Sequence, residues 1–468
     1  MGFGGLYISI SGINANKRAL DTVSHNIANV NNPNYARQSV IHSEGSYSTY
    51  DMKFLQGSGV NIEQIRQIRD EFLDMKLRRE MATFGYHSTK SEILNQVETI
   101  FNEITSSGLQ NVMDEFWDGW AELYKEPDSL TIRGIVHENA VAFTTAVNHI
   151  STQLKDLQFE LNKEMLNKAH EVNTLLGKMA QLNRHIKQAE GYGPHVSAND
   201  YRDERNAVLD RLAELIPISH YENQYGEEVV SLFGKDLVSG GSFNPIGIEL
   251  NEKGHGEIYW SDTGGGIDLK GLGELGGYID ARDSVVVEYQ QKLNILVGEL
   301  AKAINDIHKS GIDLDGGSGA PFFVGVDSQD IAATIRVNPE IGDFRKIAIS
   351  ESGAAGDGEK AKEILELREK PLFGEYDEDP HITIDRFYRE LVMGLGLERQ
   401  QSRTMVENQR ILIDQIKNRR EEISSVSLDE EMADMLKYQH SYIANSRVIN
   451  AIDEMVDMVI NRMGIAGR

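Results

Sequence analysis

Cysteine is missing altogether from this 468-residue chain. Disulfides, thiolate metal sites and a cysteine nucleophile are excluded together. Aromatic residues are sparse, at 7% with three tryptophans, so the cores are expected to be built from Leu, Ile, Val and Met. Positive charge is in deficit: 47 Lys plus Arg stand against 73 Asp plus Glu, a formal charge of −26. Such a surface does not suit nucleic acid, which needs a cationic face, nor an anionic membrane surface. No run approaches the ~20 apolar residues of a membrane-spanning helix. The opening "MGFGGLYISISGINANKRALD" lacks a basic segment followed by a long apolar stretch, and "MGFGGL" lacks the Ser or Thr of a myristoylation signal. If the chain is exported, it is expected to leave without a conventional cleaved signal.

Proline is scarce too, and its nine positions map the chain. Residues 128–193 and 381–468 contain none, so the strongest helix breaker is absent there. Between Ile150 and Ile186 apolar residues recur in steps of three and four through Leu154, Leu157, Leu161, Met165, Val172, Met179 and Leu182. That spacing predicts one face of a long helix. A second stripe runs from Tyr278 to Ile307, and a third from Phe387 to Ile416, with Gly394 and Gly396 as expected kinks. Residues 218–275 differ: "VVSLFGKDLVSGG" and "IGIELNEKGHGEIYWSD" read as short glycine-punctuated hairpins. A second strand-like patch lies at 332–350 and is left either with or apart from those hairpins.

Both ends carry a narrower pattern. Leu6, Ile10, Ile13, Leu20 and Ile27 follow a 4-3 spacing near the start. Leu428, Met432, Met435, Tyr442, Ile449, Val456, Ile460 and Met463 follow one near the end, with Leu436 beside it. A stripe two residues wide per heptad is a coiled-coil seam rather than the anchor of a globular core. The two ends are expected to pair antiparallel, the alternative being that each packs onto a nearby domain. "SLDE" at 427–430 predicts a capping box, with the Glu430 carboxylate reaching back to Ser427. After the first helix comes "SHNIANVNNPNYARQ". Asn26 and Asn29 are expected to bond local backbone there. Pro33 and Asn34 are expected at the centre of a type II turn, Asn34 left-handed, and Tyr35 to pack the turn onto its neighbour.

The segments "SGINANKRALDTVSHNIANVNNPNYARQ" and "SLDEEMADMLKYQHSYIANSRVINAIDEMVDMVINRMG" resemble the N- and C-terminal motifs of bacterial flagellar axial proteins, the rod, hook and hook-associated proteins. "YRDERNAVLDRLAELIPI" and "LGGYIDARDSVVVEYQQKLNILVGELAKAINDIHKSGIDLDG" are most similar to the hook-associated members. Asn34 stands where that family commonly has glycine, and the insert is short for it. The resemblance implies a mainly α fold with a β-rich insert in three parts. Residues 1–40 with 425–468 would form a terminal antiparallel coiled coil, 41–215 with 276–424 a long-helix bundle, and 216–275 a small β domain. It also implies a non-enzymatic adaptor without cofactor or metal, placed outside the cell where hook meets filament. Implied partners are further copies of the chain, the hook protein, the next hook-associated protein, and an export chaperone at the C-terminal helix, with type III export. A hook or distal rod protein, and a secreted enzyme carried on the insert, are the alternatives.

Chemical motifs point nowhere else. No HExxH, Walker A, GxSxG or EF-hand pattern occurs. "DLDGGSG" at 313–319 reads as a turn rather than a cation loop, and "RDER" at 202–205 and "ARDS" at 281–284 as helix-surface ion pairs. His25, His42 and His440 show no metal spacing.

Overall fold

The structure is a computed structural model that describes residues 4–462 apart from 46, 52–53, 102–107, 192–196, 253 and 374–381. It is mainly α with a β-rich insert. In chain order, α1 (Gly4–Ala28) is followed by two nested hairpins, β1 (Gln38–Glu44) with β4 (Val60–Gln67) enclosing β2 (Tyr47–Asp51) with β3 (Phe54–Gly57). Next come α2 (Glu71–Phe101), α3 (Leu109–Lys125), α4 (Leu130–Glu190) and α5 (Asn199–Leu215). The insert holds a four-stranded antiparallel sheet of β5 (Ile218–Glu222), β6 (Glu228–Leu232), β7 (Lys235–Ser239) and β8 (Ser242–Phe243), in that order. Beside it lies a hairpin of β9 (Ile246–Leu250) and β10 (Gly256–Trp260). Then follow α6 (Gly273–Asp280), α7 (Val286–Ser310), β11 (Phe323–Val324), α8 (Ile331–Thr334), β12 (Arg336–Val337), α9 (Glu359–Glu366), α10 (Ile384–Ser424) and α11 (Leu428–Asp457).

The predicted long helix begins twenty residues earlier than its stripe, at Leu130, where Ser129 accepts from the Ile132 amide. It has 61 residues and belongs to two cores. Up to Leu161 its buried face packs with α3, α7 and the start of α10; from Met165 it packs with α5 and the insert. The expected boundary between bundle and insert therefore falls within α4, since 165–215 shares the insert's core. Tyr278–Ile307 becomes α6 and α7, joined by a π-helical turn at Ala281–Val285. Gly394 and Gly396 do not break α10, which runs continuously from Ile384 to Ser424; a Cβ at either would meet nothing within 4 Å.

Two expectations about the cores change. Residues 332–350 belong with the helices: Ala332, Ile335, Val337, Ile341, Ile347 and Ile349 are buried in the first core, and only Arg336–Val337 forms a strand. Alternating apolar residues there serve tight turns rather than a sheet. Nor is the first core purely aliphatic. Phe116 stacks on Phe143 at 5.7 Å, Trp120 meets Phe322 at 5.4 Å, and Phe322 meets Phe323 at 4.9 Å. The few aromatics are concentrated rather than spread.

Candidate functional site

Helix α11 runs antiparallel along α1. The Asn26 amide donates to Glu431 Oε2 at 3.0 Å. Two heptads away, a methyl at Gly12 would stand 2.9 Å from the Asn445 side chain, and one heptad further, a methyl at Gly5 3.4 Å from Ile452 Cδ1. The register is thus a heptad on each helix per step. What α1 buries is its small side: Ser9, Gly12, Ala15, Ala19, Thr22, Val23 and Asn26.

This corrects the phase of the expected seam. Leu6, Ile13, Leu20 and Ile27 are only half-buried, and Ile10 is exposed. They sit one position along from the stripe that closes. On α11, Met435, Ile449 and Val456 are half-buried, while Tyr442, Leu428, Met432, Leu436 and Ile460 are exposed. Met463 lies outside the described residues. The heptad repeat is common to adjacent positions, so spacing alone does not fix its phase. Glycine, serine and alanine let the backbones approach, and the pair closes on them. The large apolar side chains are left around the outside.

The turn after α1 is a polar joint. Asn26 uses all four of its hydrogen-bonding positions. Its oxygen accepts from the Tyr35 hydroxyl at 2.7 Å and the Gln38 amide at 3.0 Å, and its nitrogen donates to Gln38 O at 2.9 Å and to Glu431. Asn26 therefore spans the turn instead of bonding local backbone; Asn29 does that, donating to His25 O at 3.0 Å. Asn34 is not left-handed, as Phe233 is the one non-glycine residue with positive φ among those described. The turn is closed by Asn32, whose side chain accepts from the Asn34 amide at 3.1 Å and whose carbonyl accepts from Tyr35. An Asx turn replaces the type II turn, with Pro33 exposed on its outside.

Arg37 fastens α11 to the joint. It donates from Nε to Glu431 at 2.7 Å and from a guanidinium nitrogen to Glu430 at 2.6 Å. The Glu430 carboxylate is thus drawn to Arg37 rather than back to Ser427, although Ser427 still receives the Glu430 amide. Toward the body, Gln38 bonds Asp200 and Asn199, and the Ala36 amide donates to Asp203 at 3.3 Å. Burial raises the Asp203 carboxyl to about 7, opposed by Arg69 and the Ala36 amide. Burial, then Asp200, Asp203 and Glu431, pushes the Tyr35 phenol up. Below, Asp210 accepts from Arg78 at 2.8 Å and Arg420 at 2.9 Å, tying α2, α5 and α10 together.

The "RDER" and "ARDS" segments are buried ties rather than surface pairs. Arg205 reaches Glu222 and Gly226 O, and Arg282 reaches Asn162 and Gly256 O at 2.8 Å each. Asp313 organises its loop by accepting from the Asp315 and Gly317 amides. A cleft of about 590 Å³ beside the turn holds His25 and Asp200, 3.1 Å apart. Its lining includes no serine or threonine, and Tyr35 spends its proton on Asn26. Among the described residues no group of three or more His, Asp or Glu could hold a metal ion, and no helix is long and apolar enough to cross a membrane. Sequence reasoning missed Arg37 and Glu431; a cation just past the turn and an acid in the first turn of α11 were the available signals.

Three family models match separate stretches of the chain. "Flagellar hook-associated protein FlgK helical domain" covers residues 94–323, "Flagella basal body rod protein" 6–35 and "Flagellar basal body rod FlgEFG protein C-terminal" 418–463. Flagellar hook-associated protein 1 of Bacillus subtilis is 29% identical over 509 residues, covering 100% of this chain and 99% of the relative. Its Escherichia coli counterpart is 21% identical over 97% of this chain and 98% of the relative. The flagellar hook junction protein FlgK from Burkholderia pseudomallei shares the fold, with a TM-score of 0.66 and 12% identity over 75% of this chain and 100% of that one. The end motifs, the helical domain between them and relatives that match along the full length all agree: this chain is similar throughout to flagellar hook-associated protein 1.

Proposed function

We propose that this chain is a non-catalytic junction piece of the bacterial flagellum, whose terminal helix pair packs against further copies around the axis. One observation carries this: α1 and α11 close on small residues and leave Ile10, Leu428, Met432, Leu436 and Ile460 in solvent. A soluble monomer gains nothing from that exposure; a tube of copies buries it. The half-buried Met435, Ile449 and Val456 hold the pair together, Tyr442 joins the outer face, and Leu6, Ile13, Leu20 and Ile27 border both contacts. Hook protein on one side, the next hook-associated protein on the other, and an export chaperone on α11 before assembly complete the set of partners. The role of Asn26, Asn29, Pro33, Asn34 and Tyr35 is to fix the direction in which the pair leaves the body.

The test uses two substitutions. Leu436, 58% exposed, changed to Asp should leave the melting temperature within about 1 °C, as surface changes do, and abolish filament attachment. Ile449→Asp should also abolish attachment, but through a loosened helix pair with lower helicity. Normal motility with Leu436→Asp refutes the exposed face as an assembly contact. Labelled protein found along the whole hook, rather than at its tip in electron micrographs, would favour the hook-protein alternative.

A further inference from the structure

The turn between β6 and β7 holds Phe233 and Gly234, because Leu232 pairs with Lys235. Phe233 has φ +50° and Gly234 +81°, the paired positive angles of a type I′ turn. Asparagine or glycine suits the first position; a phenylalanine is strained there. Its ring is also 57% exposed. Strain and exposure fall on one residue. Beside it, Lys235 pairs with Asp262 and lies 4.7 Å over Trp260, so this tip is apolar and locally neutral.

A second apolar spot lies at the other end of the insert. Trp260 is opposite Ile246 and Gly256 opposite Leu250, so Trp260 and Leu250 mark the two ends of the β9–β10 hairpin. Helix α4 follows that hairpin: Asn173 accepts from the Ile246 amide and Asn162 from the Gly256 amide, both at 2.7 Å. Leu250 is 59% exposed, and Phe159, one turn before Asn162, is 72% exposed.

We propose that Phe233 of one copy docks on the Leu250–Phe159 spot of the next, a head-to-tail contact between inserts. This rests on the reading that copies of the chain assemble. Two unlike apolar spots at opposite ends of one unit are what a heterologous, repeating contact requires. Copies that each carry −26 repel. The Phe233 tip, where Asp262 already neutralises Lys235, is where they can meet without that repulsion.

The experiment measures thermal stability and self-association of the full chain by sedimentation. Phe233→Asn relieves the turn and should raise the melting temperature while weakening association about tenfold, as loss of an anchor residue does. A purely structural phenylalanine would give a lower melting temperature. Since the chain has no cysteine, Phe233→Cys with Leu250→Cys should form a disulfide ladder between copies on oxidation. The two ends lie roughly 15 Å apart within one copy, too far for an internal bridge. Association unchanged by Phe233→Asn, or disulfide dimers from Phe233→Cys alone, overturns the contact while leaving assembly intact. A wild-type chain that stays monomeric at every concentration, with no ladder from the double variant, overturns assembly itself.

Discussion

At the scale of single residues, the structure separates asparagines that look alike in sequence. Asn26→Ala strands the Gln38 amide, the Tyr35 hydroxyl and one Glu431 oxygen, all buried. Each orphaned buried group costs about 1–3 kcal/mol, so thermal denaturation should show a loss of about 3 kcal/mol or more. Asn29→Ala removes one local bond and should cost less than about 1 kcal/mol. Nothing in "NIANVNN" distinguishes the two, because the difference lies in what folds back from Gln38 and α11. Two titrating groups give opposite pH signatures. His308 is fully buried, placed between Ala320 O and the Ala348 amide, which requires the neutral ring. Burial lowers its pKa from 6.5 to about 4. The unfolded chain binds that proton first, so stability present above about pH 6.5 should fall by up to about 3 kcal/mol toward pH 4, and His308→Gln should flatten that part of the profile. Asp203, raised to about 7, works the other way: its burial costs stability as pH climbs from about 4 to 7. Asp203→Asn should therefore raise the melting temperature at pH 8 by about 2 °C or more and leave it unchanged at pH 4.

Among elements, the helix pair of α1 and α11 shows how much a pattern conveys. Its existence and antiparallel sense follow from matching heptads at the two ends. Its rotation does not, since Gly5 and Gly12, which face Ile452 and Asn445, and the buried Ser9, Ala15 and Ala19 give a weak hydrophobic signal or none. Gly12→Val should push the Asn445 amide, 2.9 Å from where a methyl would stand, off Ser441 O and cost about 1–3 kcal/mol by overpacking; the check is an earlier loss of helical circular dichroism without change in the central cores. The first hairpin, β1 with β4, went unremarked in sequence. It lies along α1, with the Val60 amide donating to Ser11 Oγ at 3.1 Å, and its half-buried strands alternate only weakly. The long helices were legible because each buries a continuous stripe. The short strands and turns of 312–350 were not, because their apolar residues answer to the packed helices around them.

For the molecule as a whole, burial is uneven. Helix α11 has one buried residue, Glu431, whereas α1 is covered by α11 on one side and the hairpin on another. Limited proteolysis of the monomer followed by mass spectrometry is expected to remove 425–468 first, 4–40 later, and the two cores last. Simultaneous loss of both ends would mean that the joint around Asn26 and Arg37 does not hold in solution.

One helix passes through both cores without a break. At 1.5 Å per residue the 61 residues of α4 extend about 90 Å. Its first half is gripped by α3 and α7, its second by α5 and the insert. A twisting load applied at one end therefore reaches the other through a stiff strut rather than a swivel. Parts stacked along a rotating shaft need such stiffness, and here it depends on the absence of proline between 128 and 193.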